Sequence, residues 1–326
     1  MLLLILTILA RPLRRKRTRR VFIFMLINRH FSKPSISIDE QILLLQSRGI
    51  QIIDKELAAH YLKYIGYYRL SGYANYFKIA ENRYNEGTTF EQILEHYVFD
   101  RKLKIILFDA IERIEIALKD IITTVMSEKH GAFWFTQNKL FINSIGSKII
   151  DSHKIIIQAI REATVEQKNK DTFLKHYYDT YDSPELPPSW IVMETLSMGV
   201  VSRILSLLLV EERKYIAKFF DIKERHLVSW MRSLTYTRNL CAHHSRVWNR
   251  VFTLKVAADK RYLVCREEAF NEGKIYSQII VIAILLSVIA PKNHFEQHVK
   301  ELFCAHKHVY KHDMGFPKEW ETFNLR

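Results

Sequence analysis

The stretch Leu107–Val125, LFDAIERIEIALKDIITTV, decides how the chain is read. Leu107, Ile111, Ile114, Leu118, Ile121 and Val125 recur at spacings of 4, 3, 4, 3 and 4. That period lines one side of an α-helix with an apolar stripe, while Glu112, Arg113, Glu115, Lys119 and Asp120 occupy the other sides. A stripe this regular marks core or a dimer seam rather than a cofactor site. Thr89 is expected to open the helix and Gly131 to end it.

Working outward, the rest of the chain also favours helices. Nine Gly and seven Pro make about 5% of 326 residues, against an ordinary share of about 12%. No proline falls between Pro34 and Pro184. Such a breaker-free run disfavours a turn-rich β-sandwich or barrel. Asp39 is expected to cap a helix through Gln46 that Gly49 stops, and Asp54 a second one to Ile65 that Gly66 stops. Residues 149–180 read as one or two polar helices. Asp182–Ser189, with three of the seven prolines, is the clearest loop. Trp190–Val210 reads as an apolar helix interrupted at Gly199, and Lys223–Arg246 as a further helix. Tyr276–Ala290 is apolar for about four turns before Pro291, too short to span a bilayer, and is expected to be a buried core helix. The fold class is all-α.

The length is roughly two domains' worth and ample for a core without disulfide or metal staples. The net charge is +14, but residues 1–31 hold eight basic residues and no acidic one, leaving 41 basic against 35 acidic, or +6, for the body. That balance is compatible with a polyanionic partner without demanding one. In 1–31 the charge follows the apolar run, unlike a signal peptide. The segment reads as a disordered basic extension or an upstream start ahead of Met25, with a membrane-surface anchor as the weaker alternative; no stable membrane insertion is expected. Cys241, Cys265 and Cys304 are too few for a secreted disulfide framework, so a cytoplasmic location is expected.

The densest polar cluster is Arg238-Asn239-Leu240-Cys241-Ala242-His243-His244-Ser245-Arg246. On a continuous helix Asn239, His243 and Arg246 share one face, with Arg238 leaning toward it. Histidine moves protons near neutrality, and arginine binds phosphate and stabilises developing negative charge. Together they suit phosphodiester cleavage by a ribose 2′-hydroxyl without a metal. One histidine cannot serve as both acid and base in separate places, so a homodimer is the mechanistic expectation. At the level of residues alone, an Arg/His helix face is as often structural as functional.

Upstream, six tyrosines in 61–76 interleave with Lys63, Arg69 and Lys78. Tyr68, Lys63 and Arg69, with Arg246, are candidate RNA contacts; the alternative is tyrosines packing between short helices. Glu194 and His244 are candidate supporting residues, although for Glu194 a capping or salt-bridging role is the better reading. His294 and His298, near Cys304, His306, His308 and His312, have usable zinc spacing, but scattered surface histidines are the better reading, so no metal is expected. Cys241 reads as a small buried residue rather than a nucleophile. No Gly-rich phosphate loop is present, and no cofactor is expected.

Arg238, four intervening residues and His243, with Asn239 after the arginine, resembles the signature of HEPN ribonucleases. The wider chain resembles the abortive-infection family Abi_2, the AbiD/AbiF group. The match runs through Lys33-Pro34, Tyr67-Tyr68-Arg69-Leu70-Ser71-Gly72-Tyr73, Ile111-Glu112-Arg113-Ile114-Glu115, Leu186-Pro187-Pro188-Ser189-Trp190, Arg238-Asn239…His243 and Met314-Gly315-Phe316-Pro317, covering about 33–320. The resemblance implies a phage-defence protein: a HEPN-like helical domain over 89–326, preceded by a small helical Tyr-rich region over 32–88. It implies Arg238 and His243 as the catalytic pair, Asn239 orienting substrate or side chains, RNA as substrate, and for some members a small non-coding RNA as partner. HEPN folds also serve as non-catalytic binding modules, so an RNA-binding or sensor module and a helical protein-interaction module stand as alternatives.

Overall fold

The structure, a computed structural model, describes residues 32–259, 272–318 and 320. Among these residues twelve α-helices dominate: α1 (Ile38–Ser47), α2 (Lys55–Tyr64), α3 (Tyr67–Ala74), α4 (Phe90–His130), α5 (Ser152–Ala163), α6 (Thr172–Thr180), α7 (Ser189–Thr195), α8 (Met198–Leu207), α9 (Val210–Lys218), α10 (Glu224–Ala242), α11 (Ile275–Ile289) and α12 (Phe295–Ala305). Two short antiparallel hairpins, β1 (Lys78–Ala80) with β2 (Arg83–Tyr84) and β3 (Ser144–Ile145) with β4 (Lys148–Ile149), interrupt them. The all-α expectation holds. Residues 1–31 and Cys265 lie outside the described residues.

The spine is α4, 41 residues and so about 60 Å long. Thr89 caps it, its hydroxyl accepting from the Gln92 amide while the Gln92 side chain accepts from the Thr89 amide; Gly131, at φ +87°, ends it. The helices α3, α7, α8, α9, α10, α11 and α12 all pack against α4. Leu107, Ile111, Ile114 and Leu118 are fully buried as the stripe requires, but further on Ile122 is buried and Ile121 only partly. A 3.5-residue repeat drifts about 20° per heptad on a helix of 3.6 residues per turn, which carries the seam over by one position. Ile42, Leu45, Ala58, Leu62, Leu70 and Tyr73 of α1–α3 join the same core.

Helix α11 is buried from Ile275 to Leu286, as its largely apolar sequence predicts. Its buried polar residue Gln278 donates to the Ser233 hydroxyl at 2.8 Å and accepts from the Thr237 hydroxyl at 3.3 Å, tying α11 to α10. No helix among the described residues is long and apolar enough to cross a membrane.

Three local expectations are corrected. The cap of α1 is Ser37, not Asp39, because Ser37 and Glu40 satisfy each other's amides reciprocally; Asp39 sits in the first turn. The Trp190–Val210 stretch is three helices: it breaks at the extended pair Leu196–Ser197, while Gly199 lies inside α8, where an added Cβ would stand 3.7 Å from the Thr235 methyl of α10. That is ordinary contact distance, so the glycine neither ends the helix nor is demanded by the packing. Finally, α10 stops at Ala242, four residues short of the expected Arg246.

Candidate active site

The end of α10 is a left-handed cap built without glycine. His244 adopts φ +55°. Its amide donates to the Cys241 carbonyl at 3.1 Å, and the Ser245 amide donates to the Leu240 carbonyl at 2.8 Å, the paired bonds of a Schellman turn. The chain therefore turns away after His243, and Arg246 does not share a helical face with Asn239 and His243. Arg246 instead donates to the Gly72 carbonyl on α3, and its guanidinium lies 5.8 Å from the Trp248 ring centroid. Arg69 of α3 donates to the His244 carbonyl at 2.8 Å. Two of the expected RNA contacts thus hold the elbow that follows the motif.

Beneath the elbow is Asp100 of α4, fully buried. One carboxylate oxygen accepts from the Val247 and Trp248 amides at 2.9 and 2.6 Å. The other accepts from the Tyr73 hydroxyl at 2.7 Å and pairs with Lys104 at 3.0 Å. The Tyr73 ring stacks on Trp248 with centroids 6.1 Å apart. Burial, reinforced by the Asp100 charge and hydrogen bond, pushes the Tyr73 phenol above its ordinary range, so it stays a donor. The sequence reading missed Asp100. Its signal is legible in retrospect: continuing the apolar stripe backward from Leu107 by threes and fours lands on Leu103, Lys104 and Asp100, an acid and a base one turn apart on the buried face.

On α10 itself, Arg238 leans against α4. Its guanidinium is 5.5 Å from the Phe108 ring centroid, and its Nε is 3.9 Å from a Glu115 carboxylate oxygen, too far for a hydrogen bond. Glu115 is drawn the other way by Lys119 at 3.2 Å. Arg238 Nε is buried with no hydrogen-bond partner. Asn239 and His243 are exposed, one turn apart on the opposite flank. His243 lies five positions after Arg238, about 140° around the helix axis. Within one chain the two groups therefore flank an exposed ridge rather than converge.

A cavity lies on each side of that ridge. One, of about 730 Å³, is lined by Phe108, Glu112, Cys241, Ala242, His244 and Arg69. The other, of about 920 Å³, reaches Asn239 and runs toward α8 and the β3–β4 hairpin. Cys241 faces the first, but burial, with the Asp100 charge adding to it, pushes its thiol up to about 12. It is a neutral packing residue, as read from sequence.

The remaining candidates fall into place as follows. Tyr68 is 93% exposed on α3. Lys63 is exposed at the end of α2, with its ammonium 5.4 Å from the Tyr64 ring centroid, and His60 packs on Tyr64 at 4.8 Å. Glu194 is exposed on α7 and makes no hydrogen bond or ion pair with Arg238 or His243. Of the C-terminal histidines, His306 is buried rather than superficial, beside Lys102 at 3.3 Å and Glu95 at 3.8 Å. Among the described residues no group of three or more His, Cys, Asp or Glu side chains is gathered as a metal site.

An all-helical protein with an Arg–Asn…His ridge on a buttressed helix end is the class that fold and site define. Residues 60–249, more than half of the chain, match the family of Abi-like proteins, and the chain belongs to that family. The match is shorter than the 33–320 expected from sequence, yet it encloses Tyr73, Asp100, Arg238, His243 and Trp248. Membership suggests a part in abortive infection, a phage-defence response. No curated protein and no solved structure matches the chain.

Proposed function

We propose that this protein is a HEPN-type endoribonuclease of abortive infection that cleaves RNA by 2′-hydroxyl attack without a metal, as a homodimer in the cytoplasm. The observation that carries this reading is the end of α10, where exposed Asn239 and His243 and half-buried Arg238 stand on a helix end held from below by Asp100. His243, exposed at the cap, takes the proton from the ribose 2′-hydroxyl. That oxygen attacks the adjacent phosphorus, and Arg238 stabilises the charge on the phosphorane. The 5′-oxygen leaves with a proton from the histidine of the second copy, yielding a 2′,3′-cyclic phosphate and a 5′-hydroxyl. Asn239 orients the substrate phosphate. The divergence of Arg238 and His243 around one helix supports the dimer, since apposed ridges bring an arginine of one copy toward a histidine of the other. Restraint by a bound small RNA fits an activity that would poison its host.

A non-catalytic RNA-binding reading draws on a different observation, the exposed His60, Lys63 and Tyr64 contacts at the end of α2 with Tyr68 exposed on α3, which offer rings and cations for stacking bases. One experiment separates the two. Labelled single-stranded RNA is incubated in EDTA with protein freed of co-purified RNA, wild type beside His243→Ala and Arg238→Ala. Loss of a general base or of the phosphorane's cation lowers cleavage by about 10²-fold or more. Cleavage by wild type alone, with cyclic phosphate ends, is the expected result. Retained RNA with no cleavage by any form supports the binding module. Sedimentation of the same sample reads the dimer.

A further inference from the structure

The cavity of about 920 Å³ on the Asn239 side of α10 has a charge pattern that the cleavage reading does not use. Four cations line it: Lys148 of β4, Arg203 of α8, Arg213 of α9 and Arg232 of α10. No carboxylate lines it, and among the described residues none of the four has an acidic partner. Elsewhere on the chain cations do find acids: Arg161 pairs with Glu185, Lys129 with Glu212, Lys214 with Glu211. Arg213 is half-buried. Its Nη1 reaches only the Ser206 carbonyl at 3.4 Å, and its Nε is buried with no partner. A guanidinium so placed, with three more cations around one concavity, repels its neighbours until an anion enters. The floor is apolar, from Ile142, Ile155 and Leu254, with the Tyr236 ring at one side. Phosphate-binding cations around an apolar and aromatic floor match a nucleotide in chemistry, and the volume lies within the range of small-ligand sites, about 300–1,000 Å³.

We propose that this cavity is a nucleotide-phosphate site. Its source is the RNA strand: Asn239 lies on its rim one helical turn from His243, so a strand crossing the α10 ridge places the nucleotide that flanks the scissile bond inside. That assignment of source rests on the ribonuclease reading; the site itself does not. A free mononucleotide presents the same chemistry, and the test has an arm for it.

The test compares Arg203→Gln/Arg232→Gln with Lys168→Gln/Lys170→Gln, which removes equal charge from an exposed loop that does not line the cavity. Arg203 and Arg232 are themselves exposed, so neither substitution touches the core; Lys148→Gln on the hairpin is an independent second variant. All are made in the His243→Ala chain so that RNA stays intact. Anisotropy of a labelled twelve-nucleotide RNA and calorimetry with GTP are read across a salt series. The cavity variant is expected to weaken RNA binding at least tenfold and to lower the slope of log affinity against log salt by about 1.4, two contacts at about 0.7 each, with the loop variant within twofold. GTP bound by the parent and lost in the cavity variant, with RNA unchanged, keeps the site and makes its source a free nucleotide. Equal binding of both ligands by parent and cavity variant overturns the proposal, as does failure of the parent to bind either. Cleavage by the His243-containing chain is scored separately: RNA held through this cavity but never cut refutes the ribonuclease and leaves the site standing.

Discussion

Asp100→Ala is the most demanding test of the site's architecture. The substitution leaves four donors facing an apolar methyl: the Val247 and Trp248 amides, the Tyr73 hydroxyl and the Lys104 ammonium. Each buried neutral donor left unpaired costs about 1–3 kcal/mol, and an orphaned partner of a buried ion pair costs about 3–5 kcal/mol. These terms are not additive, because the four donors share one pocket. Even the low end, about 5 kcal/mol, rivals the whole stability of a typical domain, about 5–15 kcal/mol. Asp100→Asn keeps an acceptor for the two amides but turns a donor toward Tyr73 and Lys104, so it falls between. Asp100→Asn combined with Lys104→Met removes the unpaired charge and recovers part of the loss. Urea unfolding followed by circular dichroism reads the midpoint and slope for each variant. An unfolding free energy for Asp100→Ala within about 1 kcal/mol of wild type at unchanged slope refutes the claim that this carboxylate holds the elbow.

Four further outcomes are expected. Burial, outweighing the favourable charges nearby, holds His96, His226 and His306 below the ordinary histidine value of 6.5. The unfolded chain then takes up protons that the folded one refuses, so stability is full above about pH 6.5 and declines below it; the urea midpoint is lower at pH 5.5 than at 7.5, and His96→Phe flattens part of the difference. At pH 8 iodoacetamide labels the exposed Cys304 quickly and leaves Cys241 unlabelled until urea is added, read by peptide mass spectrometry. His244→Gly relieves the left-handed backbone at φ +55° and raises stability by about 0.5–1 kcal/mol, while a drop would mean the imidazole does more than occupy the turn. Gly315→Ala destabilises, since at φ +83° its Cβ would lie 2.8 Å from the Lys274 Cβ; an unchanged melting temperature would contradict that crowding.

Much of the fold was legible because helix periodicity and capping act over a few residues. Thr89, Asp54 and Gly131 do what their positions in sequence require, and the strong apolarity of 276–290 was enough to bury α11. What failed depends on geometry beyond one turn. Nothing between Leu240 and Arg246 breaks a helix by propensity; the chain turns there because Asp100, Arg69 and Gly72 capture the residues that follow. Ser37 displaced Asp39 because a reciprocal cap satisfies two amides where a lone aspartate satisfies one. At the site, the order Arg238-Asn239…His243 was readable, but the expected face shared by Asn239, His243 and Arg246 was not kept, because the turn after His243 carries Arg246 to Gly72. The angle between Arg238 and His243 follows from helix spacing alone; the lean of Arg238 onto Phe108 was not readable, because it depends on where α4 lies.

The Asp100 cradle joins positions 147 and 148 residues apart in the chain, and it sits directly under the ridge. During synthesis, helix α10 emerges complete while its anchor still lacks both amide partners, and α11, which covers α4, has yet to be made. Arginine, asparagine and histidine are then present in the right order but on a helix end that nothing restrains. The elbow closes only when residues 247 and 248 arrive. A truncated chain or a stalled ribosome therefore displays the motif without its footing, and the order of synthesis makes the elbow the last part of the ridge to be fixed.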